Sequence, residues 1–593
     1  MPDSPDSTSE SETVPDSPTS ANLPIAIRKG KRSCTYPISS FASYNHLSPQ
    51  SCSFIASLDS ITIPTNLHQA LAHPGWCAAM KEEMMALDKA GTWNLVDLPP
   101  GKKAIGCKWV FAIKTKADGT LERLKARLVA KGYAQTYGVD YSETFSPVAK
   151  LSSVRLFISM AANYGWDLHQ LDVKNAFLNG DLLEEVYMEQ PPGFVAQGER
   201  GKVCHLQKSL YGLKQSPRAW FDRFSSVVKK FGLSQSKCDH SVFYQQTNAG
   251  MILLVVYVDD IVLTGSNALG ISSLKAFLNS HFQTKDLGPL KYFLGIEVMR
   301  SRKGICLTQR KYVLDLLKET GKLGASPSNF PMIPNPLLDL DDRIPFDELP
   351  EEIRKKIDPE KIKPFAHPER YRRLIGKLNY LTVTRPDVTF PVSHLSQFMA
   401  APTVAQWEAL EHVLHYLKGS PGRGVLYTNH GHNKVECFCD ADHAGSKATR
   451  RSTTGYCVFV GGNLVSWRSK KQDVVSKSSA EAEYRAMSQS VQEIVWIYQL
   501  MKEVGLATSL PAKLWCDNKA ALHIASNSVF HERTKHIEID CHFVRDKIKE
   551  NFISTGHVRS SDQLGDLLTK ALNGTRVEYL CNKLGLINIY APT

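Results

Sequence analysis

Two adjacent carboxylates, Asp259 and Asp260, follow the apolar run Met251-Ile-Leu-Leu-Val-Val256 and the dipeptide Tyr257-Val258. The segment Ile261-Val-Leu-Thr264 reads as a second strand returning, so the acid pair falls on a hairpin turn at the mouth of a core. Asp favours turns on its own account, but like charges side by side at the edge of a core call for a cation. A third acid, Asp172, lies in the strand-like His169-Gln-Leu-Asp-Val173, just ahead of Asn175-Ala-Phe177-Leu178. Carboxylates on neighbouring strands suit two-ion phosphoryl chemistry, in which cations about 3.5–4 Å apart serve the attacking hydroxyl and the leaving pyrophosphate. Four more acids, Asp440, Glu483, Asp517 and Asp566, occupy separate C-terminal segments. Each alone reads as a cap or a surface charge, whereas all four in their element order form a pattern.

The elements that must carry those acids are legible in outline. Val435–Cys439 is a strand ending in Asp440, and Gly455–Val460 and Leu464–Trp467 are the next two strands. Ser478 and Glu481 have capping-box spacing, so Glu481 is assigned to the helix start. Tyr484, Met487, Val491 and Ile494 form the apolar stripe, with Glu483 beside it as the catalytic candidate. Leu514-Trp-Cys516-Asp517 is a strand ending in an acid. Ser560 and Gln563 repeat the capping-box spacing and predict a last helix carrying Asp566. Upstream, Lys125-Ala-Arg127-Leu-Val-Ala-Lys131 puts basic residues on one strand face, suited to a triphosphate or simply to solvent.

The string Leu210-Tyr211-Gly212-Leu-Lys-Gln215-Ser216-Pro217-Arg-Ala-Trp220, with Asp172–Gly180 and Tyr257–Asp260, resembles the reverse transcriptase of plant copia-type LTR retrotransposons. The likeness extends over nearly everything from Trp93 onward. It implies an α/β and α+β multidomain chain: a right-hand polymerase of fingers, palm and thumb, a connection segment, and an RNase H-like mixed sheet flanked by helices. By that resemblance Asp172, Asp259 and Asp260 are the palm triad, the first and second being the principal Mg²⁺ ligands. Phe177 takes the steric-gate position, where a ring beneath the sugar excludes a 2′-hydroxyl. Tyr211, Gly212, Gln215 and Tyr257 lie by the nucleotide and template, with Ser216-Pro217 opening the helix below. Lys125, Arg127 and Lys131 contact the triphosphate, Leu294-Gly295 is the primer grip, and Lys285 is a proton donor to pyrophosphate.

In the nuclease, Asp440, Glu483, Asp517 and Asp566 would hold two more ions and activate water against the RNA strand of a hybrid. The resemblance implies Mg²⁺ at both centres, two ions each, with Mn²⁺ as a substitute. His557 would aid product release, and His536 has no assigned role. His443 stands where relatives carry Trp, which bears on packing beside Asp440 and not on the ligands. The implied partners are an RNA template, a DNA primer, dNTPs and an RNA–DNA hybrid, together with further copies of the chain or other element proteins.

The 593 residues allow several domains, and a net charge of +12 suits a polyanionic partner. The 13 Cys include no pair at zinc-ligand spacing, and Cys437 and Cys439 read as core. No apolar run reaches membrane-spanning length. The expected location is the cytoplasm, within a virus-like particle, or the nucleus; the cluster Arg28-Lys-Gly-Lys-Arg32 reads as linker or import signal. The expected domains are a disordered leader (1–65), reverse transcriptase (66–335), thumb and connection with a charged linker (336–432), RNase H (433–575) and a tail (576–593). An initiating Met before a low-complexity leader suggests a truncated gene. The competing expectation is therefore a remnant that binds nucleic acid without activity.

Overall fold

The computed structural model describes residues 62–115, 121–199, 201–333, 358–446, 449–506, 508–527 and 537–590. Nearly all of the leader, the charged stretch around Glu351–Lys356, and His536 lie outside the described residues. Among the described residues no helix is long and apolar enough to cross a membrane.

The described chain falls into two compact units. The smaller comprises the residues through Met85, Trp109–Leu128 and Pro192–Phe194. Its helix α1 (Pro74–Lys89) opens on Pro, whose fixed φ suits a first helical position. Trp76 and Met80, one turn apart, bury against Ala126 of the ribbon strands β1 (Cys107–Thr115) and β2 (Leu121–Ala130). The Trp76 and Phe111 rings meet edge-on with centroids 5.4 Å apart.

The larger unit holds the rest. Helix α2 (Leu151–Tyr164) ends on Gly165 at φ 70°, the left-handed cap that glycine adopts without strain. Strand β3 (Leu168–Val173) follows, then helix α3 (Ser216–Lys230), and then strands β4 (Val242–Thr247), β5 (Gly250–Tyr257), β6 (Asp260–Thr264) and β7 (Thr284–Pro289). The sheet order is β7-β3-β6-β5-β4, with Ser234–Gln235 at the far edge. The unbroken apolar run in β5 has a simple cause, since both faces are covered. Leu253 and Val255 enter one core, while Ile252, Leu254 and Val256 enter a second with Phe224 and Trp220.

Strands β8 (Tyr292–Phe293), β9 (Ile296–Ser301) and β10 (Gly304–Thr308) form an antiparallel meander. Helices α4 (Pro368–Leu381) and α5 (Val404–Gly419) come next, and the latter starts in a capping box of Thr403 and Gln406. Strand β11 (Arg423–Tyr427) then pairs with β10. The C-terminal region has strands β12 (Val435–Ala441), β13 (Thr453–Val460) and β14 (Asn463–Lys471), helix α6 (Ser479–Glu503), and strands β15 (Ala512–Cys516) and β16 (Ile553–His557). Their order is β14-β13-β12-β15-β16, with β15 parallel to both neighbours, as the RNase H resemblance implied. Cys437 and Cys439 are buried free thiols.

Two expectations change. Residues 576–593 are not a tail in their described part: helix α7 (Gly574–Lys583) leads into β17 (Leu586–Asn588), which pairs with β11 and completes the sheet β8-β9-β10-β11-β17. The Ser560–Gln563 spacing does not cap an α-helix either. Asp566 sits on the short 3₁₀ turn Leu564–Leu568, because the Gln563 amide turns inward and donates to the Cys439 carbonyl (2.8 Å). The sheet β7-β3-β6-β5-β4 and the C-terminal sheet share one core, and Arg155 of α2 marks the junction. Its guanidinium lies 3.7 Å from the Trp467 ring centroid and donates to the Val383 carbonyl (2.5 Å).

Candidate active sites

The palm acids converge through backbone register. Asp172 of β3 is the direct cross-strand partner of Asp260 on β6, and directly opposed residues share a face. Asp259 lies in the two-residue turn between β5 and β6, and its carbonyl accepts the Val173 N–H (2.9 Å). That turn puts Val258 at φ +56°, a conformation hostile to a β-branched residue. The buried Trp220 indole donates to the Val258 carbonyl (2.7 Å), which pins the turn. The Gln170 amide donates to Asp260 Oδ1 (3.2 Å). Burial pushes the Asp260 carboxyl up, the charges of Asp259 and Asp172 push it further, and the Gln170 bond opposes them. Asp260 thus feels the charge of both other acids, and carboxylate oxygens are the donors a hard divalent cation takes. Lys285 of β7 is the other cross-strand partner of Asp172, and its side chain is exposed.

Around the triad, the Phe177 and Tyr211 rings meet edge-on at 5.1 Å, and the Ser209 hydroxyl donates to the Phe177 carbonyl. Gly212 has φ +95°, and a Cβ there would stand 2.2 Å from the Ala130 carbonyl oxygen, so the close crossing of the two segments admits only glycine. Gln215 and Ser216 lie inside the fold, and Ser216 opens α3 as expected. Gln215 is buried between Gln135 and the Asp140 carbonyl (3.0 Å each), and the buried Ser216 hydroxyl donates to the Leu210 carbonyl (2.6 Å). Pro217 sits in the first turn of α3, as expected.

Leu294 and Gly295 form a two-residue turn with φ 51° and 73°, the primed geometry that matches strand twist. The Tyr380 hydroxyl donates to the Leu294 carbonyl and faces the Tyr257 phenol. In the smaller unit Lys125 and Arg127 alternate along β2, and Lys125 is pushed down by burial and by the cations Arg127, Arg123 and Lys114. Lys131 follows the strand within the larger unit.

In the C-terminal cluster, Asp440, Asp566 and Asp517 are held by side chains instead. Asp440 of β12 is fully buried; the Thr569 hydroxyl donates to it, and Lys570 Nζ lies 3.2 Å from both of its oxygens. The same ammonium is 2.7 Å from Asp566 Oδ1. Arg576 Nη2 lies 3.2 Å from Asp566 Oδ2. The Ser560 hydroxyl donates to Asp517 Oδ2 (2.8 Å). Glu483, Asp517 and the Cys516 thiol offer donor atoms all within 4.8 Å of one another. Burial, then the charge of Asp440, pushes Glu483 up to about 11. Asp440 is raised by burial and lowered by Lys570. This buried surplus of carboxylates, already drawing in an ammonium, fits a divalent cation.

Ser478 accepts the Glu481 N–H (3.2 Å), while Glu481 takes the Lys477 N–H (2.9 Å) and pairs with Arg485, so it serves the helix start and Glu483 is left to the centre. His557 ends β16 opposite Cys516, one residue from Asp517. His443 is exposed. The sequence reading missed Gln170, Thr569, Lys570 and Arg576, and the anchoring role of Trp220. Only Lys570 carried a local signal, four residues beyond Asp566.

Residues 90–334 match the family model described as reverse transcriptase (RNA-dependent DNA polymerase). The chain is 40% identical over 538 residues to the "Retrovirus-related Pol polyprotein from transposon RE1" of Arabidopsis thaliana, covering 91% of this chain and 35% of that protein. It is 31% identical over 327 residues to the "Putative transposon Ty5-1 protein" of Saccharomyces cerevisiae, spanning 55% of this chain and the whole of that one. The chain belongs to the copia-type retrotransposon Pol family. It spans about a third of the length of the first curated Pol relatives it matches. Among solved structures, this copia-type Pol chain is similar to a foamy viral protease-reverse transcriptase in complex with dsDNA, at TM-score 0.43 and 12% identity over 82% of this chain and 84% of that one.

Proposed function

We propose that this chain is an RNA-directed DNA polymerase with a tethered ribonuclease H, copying RNA into DNA and degrading the RNA strand of the resulting hybrid. The observation that carries the reading is the register that opposes Asp172 to Asp260 beneath a turn bearing Asp259. Two Mg²⁺ ions at each centre would supply Lewis-acid activation of a hydroxyl or water and charge stabilisation of the leaving oxygen. Asp172 and Asp259 are assigned as ligands in the palm, with Asp260 a supporting acid held by Gln170. In the nuclease, Asp440, Glu483, Asp517 and Asp566 are the ligands.

The remaining residues position substrate. Phe177, braced by Tyr211, closes the sugar side and excludes a 2′-hydroxyl. The turn at Leu294-Gly295, tied to α4 by Tyr380, offers a rigid edge for the primer terminus. The crowded cations at Lys125 and Arg127 suit phosphates, and Lys131 is assigned the same role on sequence grounds. Lys285, the cross-strand partner of Asp172, is assigned the proton to pyrophosphate, which this pairing supports. Grip on the template, primer and hybrid is phosphate-directed and falls with salt.

The test is primer extension on an RNA template with dNTPs and Mg²⁺, beside cleavage of a labelled RNA–DNA hybrid. Wild type should extend where Asp259→Asn does not; equal extension by both would leave at most a nucleic-acid-binding remnant. Phe177→Ala should admit rNTPs, and unchanged sugar selectivity would remove its gate role.

A further inference from the structure

Arg576 stands in the first turn of α7, where the helix dipole disfavours a cation, so its position needs another explanation. Its guanidinium supplies one. Nη1 donates to the Ser561 carbonyl, and Nη2 donates to the Ser560 carbonyl (2.7 Å) and lies 3.2 Å from Asp566 Oδ2. Ser560 in turn gives its hydroxyl to Asp517 (2.8 Å). One side chain therefore holds Asp566 directly and Asp517 through a single intervening residue, although the two acids come from separate segments.

The helix that presents Arg576 is itself fixed. The Asn573 side chain accepts the Arg576 N–H (2.9 Å), and Glu578 pairs with Arg423. Arg423 donates to the Tyr416 hydroxyl (2.8 Å), which donates to Asp387 (2.7 Å). Arg385 binds Asp387 through Nε and Nη2, and that pair is fully buried. Only the planar fork of Arg can serve two carbonyls and a carboxylate from one position.

We propose that Arg576 is the positioning residue of the nuclease centre, setting the separation of Asp517 and Asp566 on which cation occupancy and hybrid turnover depend. This rests on the nuclease reading above. In the full chain, Arg576→Ala should lower kcat for a labelled RNA–DNA hybrid roughly 10–100-fold and weaken Mn²⁺ binding, followed by paramagnetic resonance without substrate, by a similar factor. The KM for hybrid should stay within about twofold, since uniform binding is untouched. Arg576→Lys should restore little of either, and Ser560→Ala should shift both in the same direction by about tenfold or less.

Primer extension by the same preparations reports that the chain is folded. If Arg576→Ala abolishes extension as well, Ser560→Ala carries the test. Unchanged kcat and Mn²⁺ binding in Arg576→Ala overturns the proposal, as does full rescue by Lys or a rise in KM alone, which would mean direct substrate contact. If Asp517→Asn cleaves hybrid like wild type, the nuclease reading itself has failed, and the Mn²⁺ measurement still judges the role of Arg576.

Discussion

The two acid clusters are built by opposite means. In the palm, Asp172 and Asp260 are cross-strand partners and Asp259 lies in the adjoining turn, so backbone register places all three, with Gln170 and Trp220 as local braces. In the C-terminal cluster, three of the four acids, each on its own segment, are held by side chains: Lys570 between Asp440 and Asp566, Arg576 on Asp566, Ser560 on Asp517. A centre made by register tolerates side-chain change around it but not a shift of the strand. A centre made by side chains can be loosened by residues that never touch substrate.

The sharpest way to separate the two is a double dissociation. Asp259→Asn with Asp260→Asn should bring primer extension to background and leave hybrid cleavage intact, while Asp517→Asn should do the reverse. Loss of both activities in either variant would mean that the centres are not separable. Next in size, Asp387→Ala leaves Arg385 buried without its carboxylate and should cost about 3–5 kcal/mol, read from the denaturant midpoint. Cleavage should fall before extension as denaturant rises, because α7 loses its anchor.

The third test is pH. Folding raises Glu483 from an ordinary 4.5 to about 11, so the fold favours its protonated form. That contribution is complete below about pH 4.5 and is lost as pH climbs toward 11. In chelator, the melting temperature should fall from about pH 6 to about pH 9 more in wild type than in Glu483→Gln, and Mg²⁺ should raise it most at the alkaline end. A flat wild-type profile would deny the buried charge. The smallest effect belongs to the palm: Val258→Asn should relieve left-handed strain and stabilise the turn by about 1–2 kcal/mol in thermal melts. No gain would mean that the Trp220 bond already compensates it.

What the sequence made legible follows the same division. The palm hairpin and the stripe from Tyr484 to Ile494 are local patterns, and both are present; the hairpin at Leu294-Gly295 followed from the resemblance. Ser560 and Gln563 had the right spacing for a cap but were claimed by distant partners, Asp517 and Cys439. The pairing of Leu586–Asn588 with Arg423–Val425 joins segments with no local signature in common, so the end of the chain looked like a tail. Arg576 was invisible for the same reason.

That pairing has a consequence for how the protein is made. The sheet that begins at the Leu294-Gly295 turn ends on β17, so β11 at its far side keeps an open edge until the C-terminal region has been made. Such a long-range closure makes for slow folding and leaves an open strand edge during synthesis. The sheet therefore closes only late in synthesis, and an isolated 66–335 fragment, which lacks β11 as well, should expose the edge of β10 and stay soluble only with a partner for it.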